Sequence, residues 1–165
     1  MSRAADNNES ASHPLLRSYA QAATDGPGIV GGKGWNLGRL DRYGFAVPAG
    51  AVLVAAAYQQ HLDGAQVQTM IDALSDVAAE HADEPEVVAS LENIRERILA
   101  APLPEAVVEA VRSLLSEERM QGRPVAVRSS ATAEDSADAS FAGIHESVLN
   151  VSGLDAALLA VRQCY

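Results

Sequence analysis

A chain of 165 residues, 48% of them hydrophobic, has enough apolar side chains for one domain with a real core, which excludes a disordered protein. Twelve Lys and Arg against 22 Asp and Glu give a net charge of −10, and an acidic surface disfavours nucleic acid or an anionic membrane as a partner. The single cysteine, Cys164, excludes an internal disulfide and any metal cluster built on cysteine, and it fits a reducing compartment.

Met1 to His13 is polar and unpatterned and reads as a disordered tail, leaving 14–165 as the domain. Asp6 and Glu9, with no apolar core around them, do not make a secretory signal. The longest nearly apolar run, Phe45 to Tyr58, contains Pro48 and is too short to span a bilayer, so a soluble, cytoplasmic protein is expected.

Leu15 to Ala20 reads as a short strand. The segment from Gly26 to Gly34 reads as a flexible loop that delivers one lysine, Lys33. Gly26, Gly28 and Gly31 match G-x-G-x-x-G, but no apolar strand precedes them and Pro27 breaks the turn that a dinucleotide fold requires. A Walker loop fails as well, because Pro27 stands at its first glycine and Gly34 stands where Ser or Thr should follow the lysine. Trp35 to Tyr43 is expected to form a short helix with Leu37 and Leu40 on one face and Gly44 as its stop. Trp35 reads as core or lid packing, with stacking on a base left open.

Ala51 to Val54 reads as a strand entered through Pro48 and Gly50. Three apolar periods of helical spacing follow: Val67, Met70, Ile71, Leu74 and Val77; then Val87, Leu91, Ile94 and Ile98; then Val107, Val111, Leu114 and Leu115. Pro85, Pro102 and Pro104 separate them. His13, His61, His81 and His145 all read as surface residues.

Pro124 to Val151 concentrates the chemistry. Val125-Ala126-Val127 fits a short buried strand, Arg128 sits at its end, and Ser129 to Ser140 is a small, hydroxyl-rich run expected to be a mobile surface loop. Phe141-Ala142-Gly143 closes it, and Glu146 to Val151 reads as a second strand returning beside the first. A guanidinium at a strand end can pair two phosphate oxygens, and the hydroxyls and backbone N–H groups of a small-residue loop can wrap them. Residue types leave a second reading open: a solvated hairpin in which Arg128 caps a neighbouring carboxylate. Ser152 then reads as the N-cap of a helix from Gly153 carrying Leu154, Leu158 and Val161, which reaches Cys164-Tyr165 without a stop signal.

VAVRSSATAEDSADASFAG followed by ESVLNV resembles the signature of the nucleotide-binding domain shared by phosphoenolpyruvate synthases, rifampin phosphotransferases and pyruvate phosphate dikinases. Val30-Gly31-Gly32-Lys33-Gly34 with Asn36-Leu37-Gly38, and then Val47-Pro48-Ala49-Gly50, resemble further blocks of that family. The resemblance implies a mixed α/β fold, the first lobe of an ATP-grasp domain, with helices on a small, mostly antiparallel sheet. It implies ATP as the ligand, with Lys33 and Arg128 as phosphate contacts, Gly143 as a backbone contact and Ser147 where relatives often have threonine. Glu134 and Asp135 also match family residues and read as loop structure. Relatives pass a phosphoryl group from ATP to a histidine on a swivelling domain, and then to pyruvate or an antibiotic. The resemblance places the Mg2+ ligands, the second lobe and the histidine domain downstream, in frame or in a separately encoded half, and assigns no catalytic or metal-binding residue here. The competing reading is a non-catalytic remnant that keeps the fold as a protein-interaction module.

Overall fold

The computed structural model describes residues 13–132 and 146–165. Its described residues form a mixed α/β fold of seven α-helices and two separate two-stranded antiparallel sheets. No helix among them is long and apolar enough to cross a membrane.

The expected first strand is only Leu16–Arg17 (β1), because Ser18 turns the chain into a helix, Tyr19–Asp25 (α1). The Ser18 hydroxyl accepts from the Gln21 backbone N–H, and the Gln21 side chain accepts from the Ser18 N–H at 2.8 Å. Ser18-x-x-Gln21 is thus a reciprocal capping box, a local signal that outweighs the apolar run before it. β1 pairs with Val52–Leu53 (β2) in the register Leu16 with Leu53 and Arg17 with Val52.

The glycine-rich segment is helical, which corrects the flexible loop expected there. Pro27–Arg42 (α2) starts on Pro27, whose fixed φ suits a first helical turn, and is broken once, at Gly31 (φ 71°, ψ 164°). Helix propensity argues against so many glycines, so packing decides the outcome. A Cβ on Gly38 would lie 2.7 Å from the Ala23 backbone N, and one on Gly34 would lie 2.9 Å from a Val52 methyl. Those glycines let α2 press directly on α1 and β2.

Ala55–Ala65 (α3), not anticipated from the sequence, follows β2, and its buried face of Ala57, His61, Leu62 and Ala65 recurs at helical spacing. The three expected helices follow as Gln68–Ser75 (α4), Pro85–Ala100 (α5) and Glu105–Ser116 (α6). One hydrophobic cluster gathers Leu62, Ala65 and Val67 with Ile94 and Ile98 of α5. His61, expected at the surface, is fully buried, and its Nε2 lies 2.9 Å from the Ile98 carbonyl oxygen, which only a protonated Nε2 can satisfy. The imidazole packs against the Tyr165 ring at 5.3 Å between centroids.

Val125–Arg128 (β3) pairs with Ser147–Val151 (β4), with Val125 opposite Val151, Val127 opposite Val148 and Arg128 opposite Ser147. Between the first two pairs β4 advances three residues and β3 two. The extra residue sits beside Asn150, whose φ of 56° is a left-handed value that asparagine tolerates. β3 is half-buried rather than buried as expected: Val125 and Val127 pack on the core while Ala126 and Arg128 face outward. The last helix, Leu154–Cys164 (α7), begins from Gly153 without a side-chain cap, so Ser152 does not play the N-cap role expected of it. α7 covers the inner face of the β3–β4 pair. Its Ala157, Ala160 and Val161 join Leu16, Val30, Val107, Val111 and Val151 in the larger core cluster.

Candidate nucleotide-phosphate site

The break in α2 has a specific cause. In an unbroken helix the Gly34 N–H would donate to the Val30 carbonyl four residues earlier. Here the Ser130 hydroxyl occupies that gap: it accepts from the Gly34 N–H at 3.0 Å and donates to the Val30 oxygen at 3.0 Å. A third bond runs from the Gly32 N–H to the Ala131 carbonyl at 3.0 Å. A side chain inserted into the helical ladder is one of the recognised origins of a kink. Gly31 makes the insertion possible, because a Cβ there would overlap the Ser130 backbone and hydroxyl.

This clasp joins two segments nearly one hundred residues apart in sequence. Lys33, partly buried, lies between the two amides that the 130–131 segment holds, and Arg128 lies two residues before Ser130. Arg128 and Ser147 face each other as a cross-strand pair, so their side chains share one surface, and both are exposed. Among the described residues Arg128 has no carboxylate partner, so the reading of it as a cap for a neighbouring acid finds no support there. The clasp thus ties the segment that carries Lys33 to the 130–131 segment just past β3, whose last residue, Arg128, pairs with Ser147. Gly143, His145, Glu134 and Asp135 lie outside the described residues, as does most of the expected mobile loop.

Nothing in the sequence distinguishes Ser130 from the other hydroxyls of its run. Its hydroxyl is engaged by the protein itself, which differs from the expectation that this run offers its hydroxyls to a ligand. Trp35 is part-buried against the core, and the Arg39 guanidinium lies 4.6 Å from its ring centroid, a cation–π contact that covers one face.

Behind the hairpin opening, Cys164 of α7 places its Sγ 3.8 Å from the carbonyl oxygens of Val127 and Glu146. Burial pushes this thiol above its ordinary pKa; the Glu146 carboxylate adds to the rise and a Ser129 backbone hydrogen bond opposes it. A raised pKa means less of the reactive thiolate at a given pH. Alkylation near about pH 8 is accordingly expected to be slower in the folded chain than in urea, with the gap narrowing as pH rises. Equal rates in both states would contradict the half-buried setting.

Among the described residues no group of three His, Cys, Asp or Glu could hold a metal ion.

Comparison with known proteins bears on what this end of the molecule does. Residues 27–165 match the family model described as "Pyruvate phosphate dikinase, AMP/ATP-binding domain". The chain is 38% identical over 162 residues to phosphoenolpyruvate synthase of Escherichia coli, covering 93% of this chain and 20% of that protein. It is 34% identical over 152 residues to a probable phosphoenolpyruvate synthase of Methanothermobacter thermautotrophicus, covering 89% and 22%. Rifampicin phosphotransferase of Bacillus subtilis is 37% identical over 139 residues, covering 83% and 16%. The chain thus spans about a fifth of the length of these relatives. With the family model running through α2, the clasp and the β3–β4 pair, this chain belongs to the pyruvate phosphate dikinase AMP/ATP-binding domain family.

Proposed function

We propose that this chain is the phosphate-gripping first lobe of an ATP-grasp-type nucleotide-binding domain, with 14–165 as a partial domain whose remainder is supplied elsewhere. The observation that carries the reading is the Ser130 clasp, which fixes the backbone on both sides of Lys33 beside the strand end that holds Arg128 and Ser147. An ammonium on a long stem can follow phosphate oxygens as they move, whereas a guanidinium on a rigid strand fixes two of them at once. The Ser147 hydroxyl, opposite Arg128, supplies a neutral donor on the same surface. Gly143 is assigned a backbone contact to the same phosphates, by family resemblance alone.

Phosphoryl transfer depends on positioning and on neutralising charge around the phosphates, with metal ions bridging them. These residues hold and orient the nucleotide but cannot enclose it or exclude water. We assign the Mg2+ ligands, the second lobe and the histidine carrier to a further part of the assembly, encoded in the same chain or in a separate downstream half. By analogy with the resemblance, ATP would phosphorylate that histidine, and pyruvate or another acceptor would take the group.

The test is AMP release and phosphohistidine formation, assayed with the 165-residue chain alone and after adding a separately expressed half that carries the second lobe and histidine domain. No turnover alone and activity on mixing is the expected result. Robust turnover by the chain alone would overturn this assignment.

A further inference from the structure

We propose that Ser130 is a positioning residue for Lys33: its hydroxyl, inserted between the Gly34 N–H and the Val30 carbonyl, sets where the lysine stands relative to Arg128. The inference rests on the phosphate reading of Lys33 given above and adds the device that aims it. The hydroxyl uses its proton on Val30 and a lone pair on Gly34, so both polar functions are committed to the helix break. Ala131 adds a second hold on the same turn through the Gly32 N–H.

Removing the hydroxyl leaves two outcomes for the backbone. Either the Gly34 donor and the Val30 acceptor remain unpaired in a part-buried setting, or α2 closes its own ladder and straightens. The first frees the 31–34 turn from the bond that holds it and the second changes its path, so in either case the root of the Lys33 side chain is no longer fixed. Arg128 stays where it is, because the β3–β4 register and the Ser129 N–H bond to the Glu146 carbonyl at 3.2 Å do not involve the hydroxyl of Ser130. The clasp also runs in the other direction. A ligand that draws on Lys33 shifts the turn held by Ser130 and Ala131, so the start of the 129–132 segment senses occupancy of the lysine.

The probe is inorganic tripolyphosphate, titrated at millimolar concentration into the isotope-labelled full chain and followed by backbone amide shifts. In the wild type the Lys33, Gly34 and Ala131 amides are expected to move together with one dissociation constant. Ser130→Ala should weaken that constant roughly tenfold, the size of a lost helix-end hydrogen bond expressed as affinity. Ser130→Thr, which keeps the hydroxyl, should bind like the wild type. Because Ser130 acts through Lys33, Ser130→Ala combined with Lys33→Ala should bind no worse than Lys33→Ala alone, a non-additivity that general destabilisation would not produce.

Additive losses in the double variant, or wild-type affinity in Ser130→Ala while Lys33→Ala is weakened, would overturn this inference and leave the phosphate reading intact. Wild-type affinity in Lys33→Ala would overturn the phosphate reading itself, and this inference with it. Should Ser130→Ala fail to fold, the wild-type titration still decides: movement of Lys33 without Gly34 and Ala131 would show that the clasp does not transmit to the lysine.

Discussion

Gly31→Ala is expected to lower the stability of the chain by roughly 2–6 kcal/mol, and its melting temperature by about 4–24 °C at ~2–4 °C per kcal/mol for a domain of this size. Two penalties add. The residue sits at φ 71° and ψ 164°, a region that side chains other than glycine enter at a cost of about 1–3 kcal/mol. Its new methyl would also overlap the Ser130 backbone, and overpacking of that kind costs about 1–3 kcal/mol. Gly28→Ala is the matched control: it lies three residues earlier in the same helix, has ordinary helical φ and has nothing within 4 Å of where its methyl would stand. That change should stabilise the chain by about 0.4–1 kcal/mol, through lower entropy of the unfolded state. Thermal melts of the two variants beside the wild type read the difference, and equal melting temperatures would refute the close approach of residues 31 and 130.

The second large effect is on ligand binding. Arg128→Ala should weaken nucleotide affinity by about 1.5–3 kcal/mol, the range for a hydrogen bond to a charged group, which is roughly ten- to a hundredfold. Lys33→Ala is expected to fall in the same range. Arg128 is exposed and has no ion-pair partner among the described residues to lose, so the folding stability of Arg128→Ala should barely change. The combination of a large affinity loss with an unmoved melting temperature separates a binding role from a structural one. Unchanged affinity and turnover of Arg128→Ala within a complete, two-lobed enzyme would refute its assignment.

What the sequence makes legible divides along a physical line. Local patterns translate well: the apolar periods of α4, α5 and α6, the prolines that separate α5 and α6 from their predecessors, and the pairing of Val125–Arg128 with the Ser147–Val151 run. The α1 start is equally local, in Ser18 and Gln21, but the apolar Leu15-Leu16 pair before it reads as a longer strand. What local pattern cannot give is anything decided across the chain. Propensity says that Gly26 to Gly34 should not be helical, and it is overruled because Gly34 and Gly38 are placed where Val52 and Ala23 leave no room for a Cβ. His61 reads as a surface histidine among acidic neighbours, yet Ile98 of a distant helix supplies its partner and covers it. Ser130 is the clearest case. Its hydroxyl is one of several in a polar run, and the two groups that single it out, on Val30 and Gly34, lie about a hundred residues away.

The central proposal is that Lys33, Arg128 and the clasp between them form one phosphate-binding surface. The most direct measurement is a map of amide shifts in the isotope-labelled 165-residue chain on titration with ATP. Weak binding is expected, with the largest shifts at residues 31–34, 128–131 and 147. No shift in those three stretches at millimolar ATP, or shifts confined to another surface such as the Trp35–Arg42 part of α2, would contradict it.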